Sequence, residues 1–188
     1  MGLRQKFYEY AIKHDRMPMR TKWEQAVSAV RSMYKRFYYL LDDEEKIKLS
    51  EMMEEWGAEH AEEIKERLDV TRGLHGCALA LMAYHRIFGI ESSLAEESGD
   101  ELVLRVSHCM WKDKRDWTPR VCTSIEAFER GLVRGIDGSI RHYYTRRRSL
   151  GDPFCEMHLS YRSLRRSRPK MPAQDSLLIR FNRSKARE

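Results

Sequence analysis

The residues best suited to chemistry are three cysteines at the edges of separate elements. Cys109 follows an alternating strand, Cys122 stands at a helix start, and Cys155 follows the turn Leu150-Gly151-Asp152-Pro153. Thiolate is both a soft metal ligand and a strong nucleophile, so three such groups gathered in space would bind an ion or attack an electrophilic carbon. Zinc is the ion such a set would take, with His108 or His158 as a nitrogen ligand or water in the fourth place. The free N–H groups of a helix start would favour thiolate at Cys122. The plainer alternative is that free cysteine is among the most buried residue types and packs as a small hydrophobe. Strand parity puts Cys155 on one face with Met157 and Leu159, but puts Cys109 opposite Leu104 and Val106.

Glu156 and His158 stand two apart on the last strand, beside Phe154, where a carboxylate could activate water and an imidazole could shuttle its proton. The same alternation is that of a solvent-facing side. His142 and Tyr144 on the preceding strand share the ambiguity, and His142 could stand near Glu156 or His158. Arg146-Arg147-Arg148 could clamp an anionic substrate, because guanidinium pairs bidentately with carboxylate; the alternative is a solvated turn. His60, His75 and His85 read as core or boundary histidines. The chain contains no H-E-x-x-H, Glu-x-x-His, G-x-S-x-G, P-loop or Rossmann fingerprint, which removes the main support for those enzyme classes.

Helices must carry the first half. Thr21 with Glu24 reads as a capping box, and Trp23, Val27, Val30, Tyr34, Phe37 and Leu41 then form one buried stripe. Asp42 with Glu45 repeats the start signal ahead of Leu49, Met53, Trp56, His60, Ile64 and Leu68. A third helix from about Thr71 carries Val70, Leu74, Cys77, Leu81, Tyr84 and Phe88, with Gly89 as a left-handed stop. The period then changes to two. Strands are predicted over Ser92–Glu96 and Glu101–Cys109 around the turn Ser98-Gly99-Asp100, and over Ser139–Arg146 and Phe154–Tyr161. A polar loop with two tryptophans spans Trp111–Pro119. Thr123 with Glu126 reads as a third capping box, opening a short helix that stops near Gly135. Helices first and an antiparallel sheet of about four strands later make an α+β fold.

The run His108-Cys109-Met110-Trp111, then Cys122, then Leu150-Gly151-Asp152-Pro153-Phe154-Cys155-Glu156-Met157 resembles the C-terminal half of the L-2-amino-thiazoline-4-carboxylic acid hydrolase family. The closing turn, a Gly-Asp, two residues and a Cys, also resembles the 4-vinyl reductase (V4R) small-ligand domains. The resemblance covers roughly residues 70–160. It implies a V4R-like α+β domain at 70–161, after an N-terminal helical region at 1–69 and before a basic tail at 162–188. It also implies a hydrolase that opens a small cyclic substrate with water, or, in another class, a non-catalytic small-ligand or metal-sensing domain. The residues assigned on this basis are Cys109, Cys155, His108 and Glu156 as catalytic groups, and Arg146, Arg148 and Trp111 as substrate-binding groups. Cys109, Cys122 and Cys155 are the metal ligands in the zinc version. The V4R pattern has a further cysteine eight residues before the position of Cys155; this chain has Arg147 there, which counts against zinc.

Composition bounds the partners. The chain has 188 residues and a net charge of +6. Nine Lys or Arg against two acids put +7 into residues 162–188, leaving the rest at about −1. The tail has only Phe181 for base stacking, so nucleic acid is disfavoured as a partner; Leu177-Leu178-Ile179-Arg180-Phe181 is apolar enough to dock somewhere. No apolar run approaches the roughly 20 residues that span a bilayer, and Met1–Lys6 has no signal-peptide core. Sparse cysteines without C-x-x-C fit a reducing cytoplasm. A small molecule and a second copy of the chain are the partners compatible with this reading.

Overall fold

The computed structural model describes Tyr10 and residues 18–111 and 117–162. The basic tail from residue 163, with Leu177–Phe181, and the middle of the tryptophan loop lie outside the described residues. The described elements are α1 (Met19–Leu40), α2 (Asp43–Leu68), α3 (Leu74–Ile87), β1 (Ile90–Glu97), β2 (Glu101–Cys109), α4 (Pro119–Ile136), β3 (Ile140–Arg146) and β4 (Cys155–Tyr161). They form the α+β fold that the change of period predicts. The strands make one antiparallel sheet in the order β1-β2-β4-β3.

Local chemistry explains most boundaries. The Asp42–Glu45 capping box is present, each side chain accepting the other's backbone N–H at 2.8 Å. Acidic residues in the first turn of α2 and Lys65 and Arg67 in the last oppose the helix dipole favourably. Gly89, at φ +68°, ends α3 as its spacing predicts. The other two capping boxes do not form. Thr21 lies inside α1, which begins at Met19 after Pro18. α4 begins four residues before Thr123, with Pro119 in its first turn, where a fixed φ and a missing N–H cost nothing. Thr123 Oγ1 instead donates to Arg120 O at 2.7 Å. α4 is therefore 18 residues long rather than short.

α3 and α4 cover the inner face of the sheet, and α2 lies against α4. A Cβ on Gly57 would meet Phe128 O at 2.1 Å, and one on Gly131 would meet Glu54 O at 1.8 Å. The α2 and α4 backbones touch at these positions, so only glycine fits. Leu102, Leu104, Met157, Leu159 and Ile140 from the sheet, with Leu81, Phe128 and Leu132 from the helices, are almost fully buried. Each such side chain contributes about 1.5–3 kcal/mol. Phe128 stacks on Tyr84 at 4.4 Å and meets Trp56 edge-on at 4.9 Å.

α1 departs from its predicted stripe. Val27 and Tyr38 are buried, Trp23, Tyr34 and Leu41 are half-buried, but Val30 and Phe37 face solvent. The helix is held by polar anchors: Trp23 Nε1 to Ile87 O at 2.7 Å, Arg31 to Met110 O at 3.0 Å and Tyr34 to Ser124 Oγ at 2.7 Å. Among the described residues no helix is long and apolar enough to cross a membrane.

Candidate functional site

One cavity of about 60 Å³ lies between the inner face of the sheet and α4. Cys109, Cys122 and Cys155 all line it, with Trp111, Trp117, Ile90, Val106 and Ile125 as apolar wall and Glu126, Glu129, Arg147 and His85 as polar wall. The gathering of the three thiols depends on backbone irregularities. Along β2, Leu104 and Val106 point inward, and strict alternation would send Cys109 outward. β1 pairs Ser92 with Val106 but Glu91 with His108, so Ser107 is an extra residue, and Cys109 returns to the inner face opposite Ile90. β3 repeats the device. Tyr144 pairs with Met157 and Arg146 with Glu156, which makes Thr145 the extra residue. Arg146 is thereby turned outward and Arg147 inward. Bulges commonly re-aim side chains in this way beside functional sites.

Cys122 and Cys155 are neutral groups here. Burial pushes Cys122 up to about 12 against the opposing hydrogen bonds from Ser149 and Trp117, and pushes Cys155 up to about 11. The depression expected for Cys122 from the helix start is overturned: Cys122 lies one turn into α4, and desolvation dominates. Trp117 Nε1 donates to Cys122 Sγ at 2.9 Å, and the Arg148 backbone N–H donates to Cys155 Sγ at 3.3 Å. The zinc set of Cys109, Cys122 and Cys155 gains no support. Among the described residues no three His, Cys, Asp or Glu side chains are placed to hold an ion. Cys155 pairs across the sheet with Val106. Cys109 lies three residues further along β2, on the order of 10 Å at the usual strand rise.

The polar wall is two coupled clusters. Arg147 donates to both oxygens of Glu126, at 2.7 and 3.0 Å. Burial raises the Glu126 carboxyl and the guanidinium pulls it back, leaving it above its ordinary value. Deeper in, Glu129 takes His85 Nε2 at 3.0 Å and Tyr144 OH at 2.7 Å, while His85 Nδ1 meets Ser92 Oγ at 2.8 Å. Burial alone would raise Glu129, but the hydrogen bond and charge of His85, then His142 and Tyr144, outweigh it and hold the carboxyl low. His142 lies 3.6 Å from Glu129, too far for a hydrogen bond, and burial lowers it to about 4. It is neutral at pH 7, and its ring nitrogens have no hydrogen-bond partner among the described residues. The Trp111 indole N–H is likewise buried without a partner among them.

The other predicted residues lie on the opposite, outer face. Glu156 accepts from Thr145 at 2.8 Å and meets Arg105 at 3.4 Å; Arg105 and Arg146 flank the Phe154 ring at 4.3 and 5.2 Å. His158 stacks on Tyr143 and meets Glu101 at 2.9 Å. His108 is exposed at the end of β2. His142 does not approach Glu156 or His158, because it points inward from β3 opposite Leu159. Of the arginine run, Arg147 enters the cavity; Arg146 stays outside, and Arg148 touches Cys155 through its backbone. The sequence reading missed Glu129, took Glu126 for a cap and His85 for a core or boundary residue, and named Arg147 only within the arginine run. A signal for the two acids was present: they flank Ala127 and Phe128 on a helix whose apolar stripe they interrupt.

No family model matches the chain, and no curated protein matches its sequence. A solved structure does share the fold. A trafficking protein particle complex subunit 3 from Naegleria fowleri, covalently bound to palmitic acid, superposes with a TM-score of 0.56 at 14% identity, covering 79% of this chain and 99% of that one. The phenol-responsive sensory domain of the transcription activator PoxR, with phenol, gives 0.49 at 14% identity, covering 72% of this chain and 74% of that one.

Proposed function

We propose that this chain is a small-ligand-binding domain whose cavity takes a small, neutral, largely apolar molecule with one hydrogen-bond acceptor. The carrying observation is the convergence of β1, β2, α4, β4 and the β3–β4 turn on one cavity whose buried Trp111 N–H has no partner among the described residues. Buried donors are nearly always satisfied, so an acceptor on a ligand is the natural complement. Neutrality follows from the wall: Glu126 is matched by Arg147, Glu129 by its hydrogen bonds, and Cys122 and Cys155 are protonated. A net charge entering this site would meet no free counter-charge and would pay its desolvation in full. That the trafficking subunit of the same fold holds palmitic acid supports an apolar ligand here.

Hydrolysis of an aminothiazoline carboxylate ranks second. It would need proton carriers other than His108 and Glu156, and the raised Glu126 carboxyl on the cavity wall is the group that favours it. Binding and turnover separate in one experiment. Native mass spectrometry and thermal shift are run with indole, benzyl alcohol and 2-aminothiazole, and products are followed by mass after incubation with the aminothiazoline carboxylate. The expected result is a stabilising neutral ligand that is lost in Ile125→Trp, which fills the cavity. No binding by any probe at roughly 1 mM, about −4 kcal/mol, overturns the proposal, and product formation moves the second reading to first.

A further inference from the structure

We propose that the outward faces of α1 and α2 form a homodimer interface, with α1 of one copy lying on α2 of the other. Met19, Ala26, Val30, Met33, Phe37 and Leu40 all face solvent, Val30 at 42% exposure and Leu40 at 83%. From Ala26 onward their spacing alternates four and three, the row that a facing helix covers in knobs-into-holes packing. Trp23, on the same row, is half-buried and bonded to Ile87 O. α2, joined through Leu41 and Asp42, exposes Ile47, Met52 and Trp56 among exposed Glu51, Glu55 and Glu59.

Charge selects the pairing. α1 carries five basic residues against one acid, net +4, and α2 carries ten acids against four bases, net −6. An α1-on-α1 contact sets +4 against +4, whereas α1 on the partner's α2 sets opposite charges face to face under a two-fold axis. Size points the same way. A helix of 22 residues is about 33 Å long, and a stripe about 10 Å wide along it covers on the order of 330 Å². A stable interface takes about 800 Å² from each partner. One helix against its own copy falls well short; using both helices of each copy roughly doubles the contact.

Sedimentation equilibrium of the full chain tests this. The wild type is expected to dimerise, with a Kd at least tenfold weaker at about 500 mM than at about 50 mM salt. Met33→Glu with Phe37→Glu is expected to be monomeric, with unchanged circular dichroism. Arg20→Glu with Arg36→Glu, and separately Glu51→Lys with Glu55→Lys and Glu59→Lys, are each expected to be monomeric alone and dimeric when mixed. That rescue also shows that both variants fold. A wild-type chain that stays monomeric at about 100 µM, or a dimer indifferent to Met33→Glu with Phe37→Glu, overturns the proposal. Self-pairing by the α2 variant as tightly as wild type overturns the α1-on-α2 arrangement.

Discussion

On the inner face of the sheet, Glu129 meets His85 and Tyr144 at 3.0 and 2.7 Å with its side chain 3% exposed. On the outer face, Glu156 meets Thr145 and Arg105 at 2.8 and 3.4 Å with its side chain 17% exposed. Both carboxyls sit below their ordinary range, and in both, hydrogen bonds and nearby charge outweigh the effect of burial. The contacts look alike, but the alternatives open to each group differ. Water can replace the partners of Glu156; nothing can replace those of Glu129. Similar geometry on the two faces therefore carries different energies, and a catalytic-looking cluster in contact with solvent is weak grounds for a site.

The comparison is most exposed to removal of Glu129. Glu129→Ala leaves His85 and Tyr144 buried without their acceptor and is expected to cost about 3–5 kcal/mol in urea unfolding. A cost below about 1 kcal/mol would erase the distinction between the faces.

Acid should strain the inner face next. The folded His142 sits near 4, below its free value. The unfolded chain then binds more protons between about pH 6.5 and 4, and stability falls as pH drops through that window. The depressed Glu129 adds to this at lower pH, its share present above the free carboxyl pKa and lost as pH falls through the folded value. The expected loss is at most about 3 kcal/mol, read as a fall in urea midpoint from pH 7 to pH 5 that is smaller in His142→Phe. A midpoint that rises on acidification breaks the assignment.

Alkylation offers a smaller contrast. With Cys122 at about 12 and Cys155 at about 11, iodoacetamide at pH 7.5 should label both at least tenfold more slowly than an unfolded control, because only thiolate reacts. A cavity ligand should slow labelling further. Rapid labelling of either would show an open, ionised thiol. The least effect belongs to Glu156→Ala, at under about 1 kcal/mol, with ligand binding unchanged; lost binding would move the site to the outer face.

Much of this was legible in the chain. Leu102, Leu104 and Val106 alternate cleanly, the Ser98–Asp100 turn punctuates the hairpin, and the positions of three thiols at element edges raised their meeting on one cavity, although a bulge is what brings Cys109 there. Strand parity failed for a definable reason. It assumes that every residue pairs, and neither Ser107 nor Thr145 does. The error placed Cys109 outward and left Arg147 undistinguished from its neighbours. The α1 stripe failed because Val30 and Phe37 belong to an outward row that overlaps the inward row of Val27, Tyr34 and Tyr38; periodicity alone does not say which row meets the core. Glu126 was assigned to a cap, but Pro119 starts that helix earlier and frees it for Arg147.

The supernumerary Ser107 has a consequence for how this chamber changes over generations. Inserting one further paired residue beside it would leave every side chain chemically intact, yet rotate Cys109 out to solvent and bring His108 round in its stead, whereas deleting it would straighten the strand with Cys109 still inward. Gain or loss of the sulfur-lined hollow is thus a matter of counting rather than of identity. Single-residue insertions and deletions in these two strands would remodel it more abruptly than most substitutions within its wall.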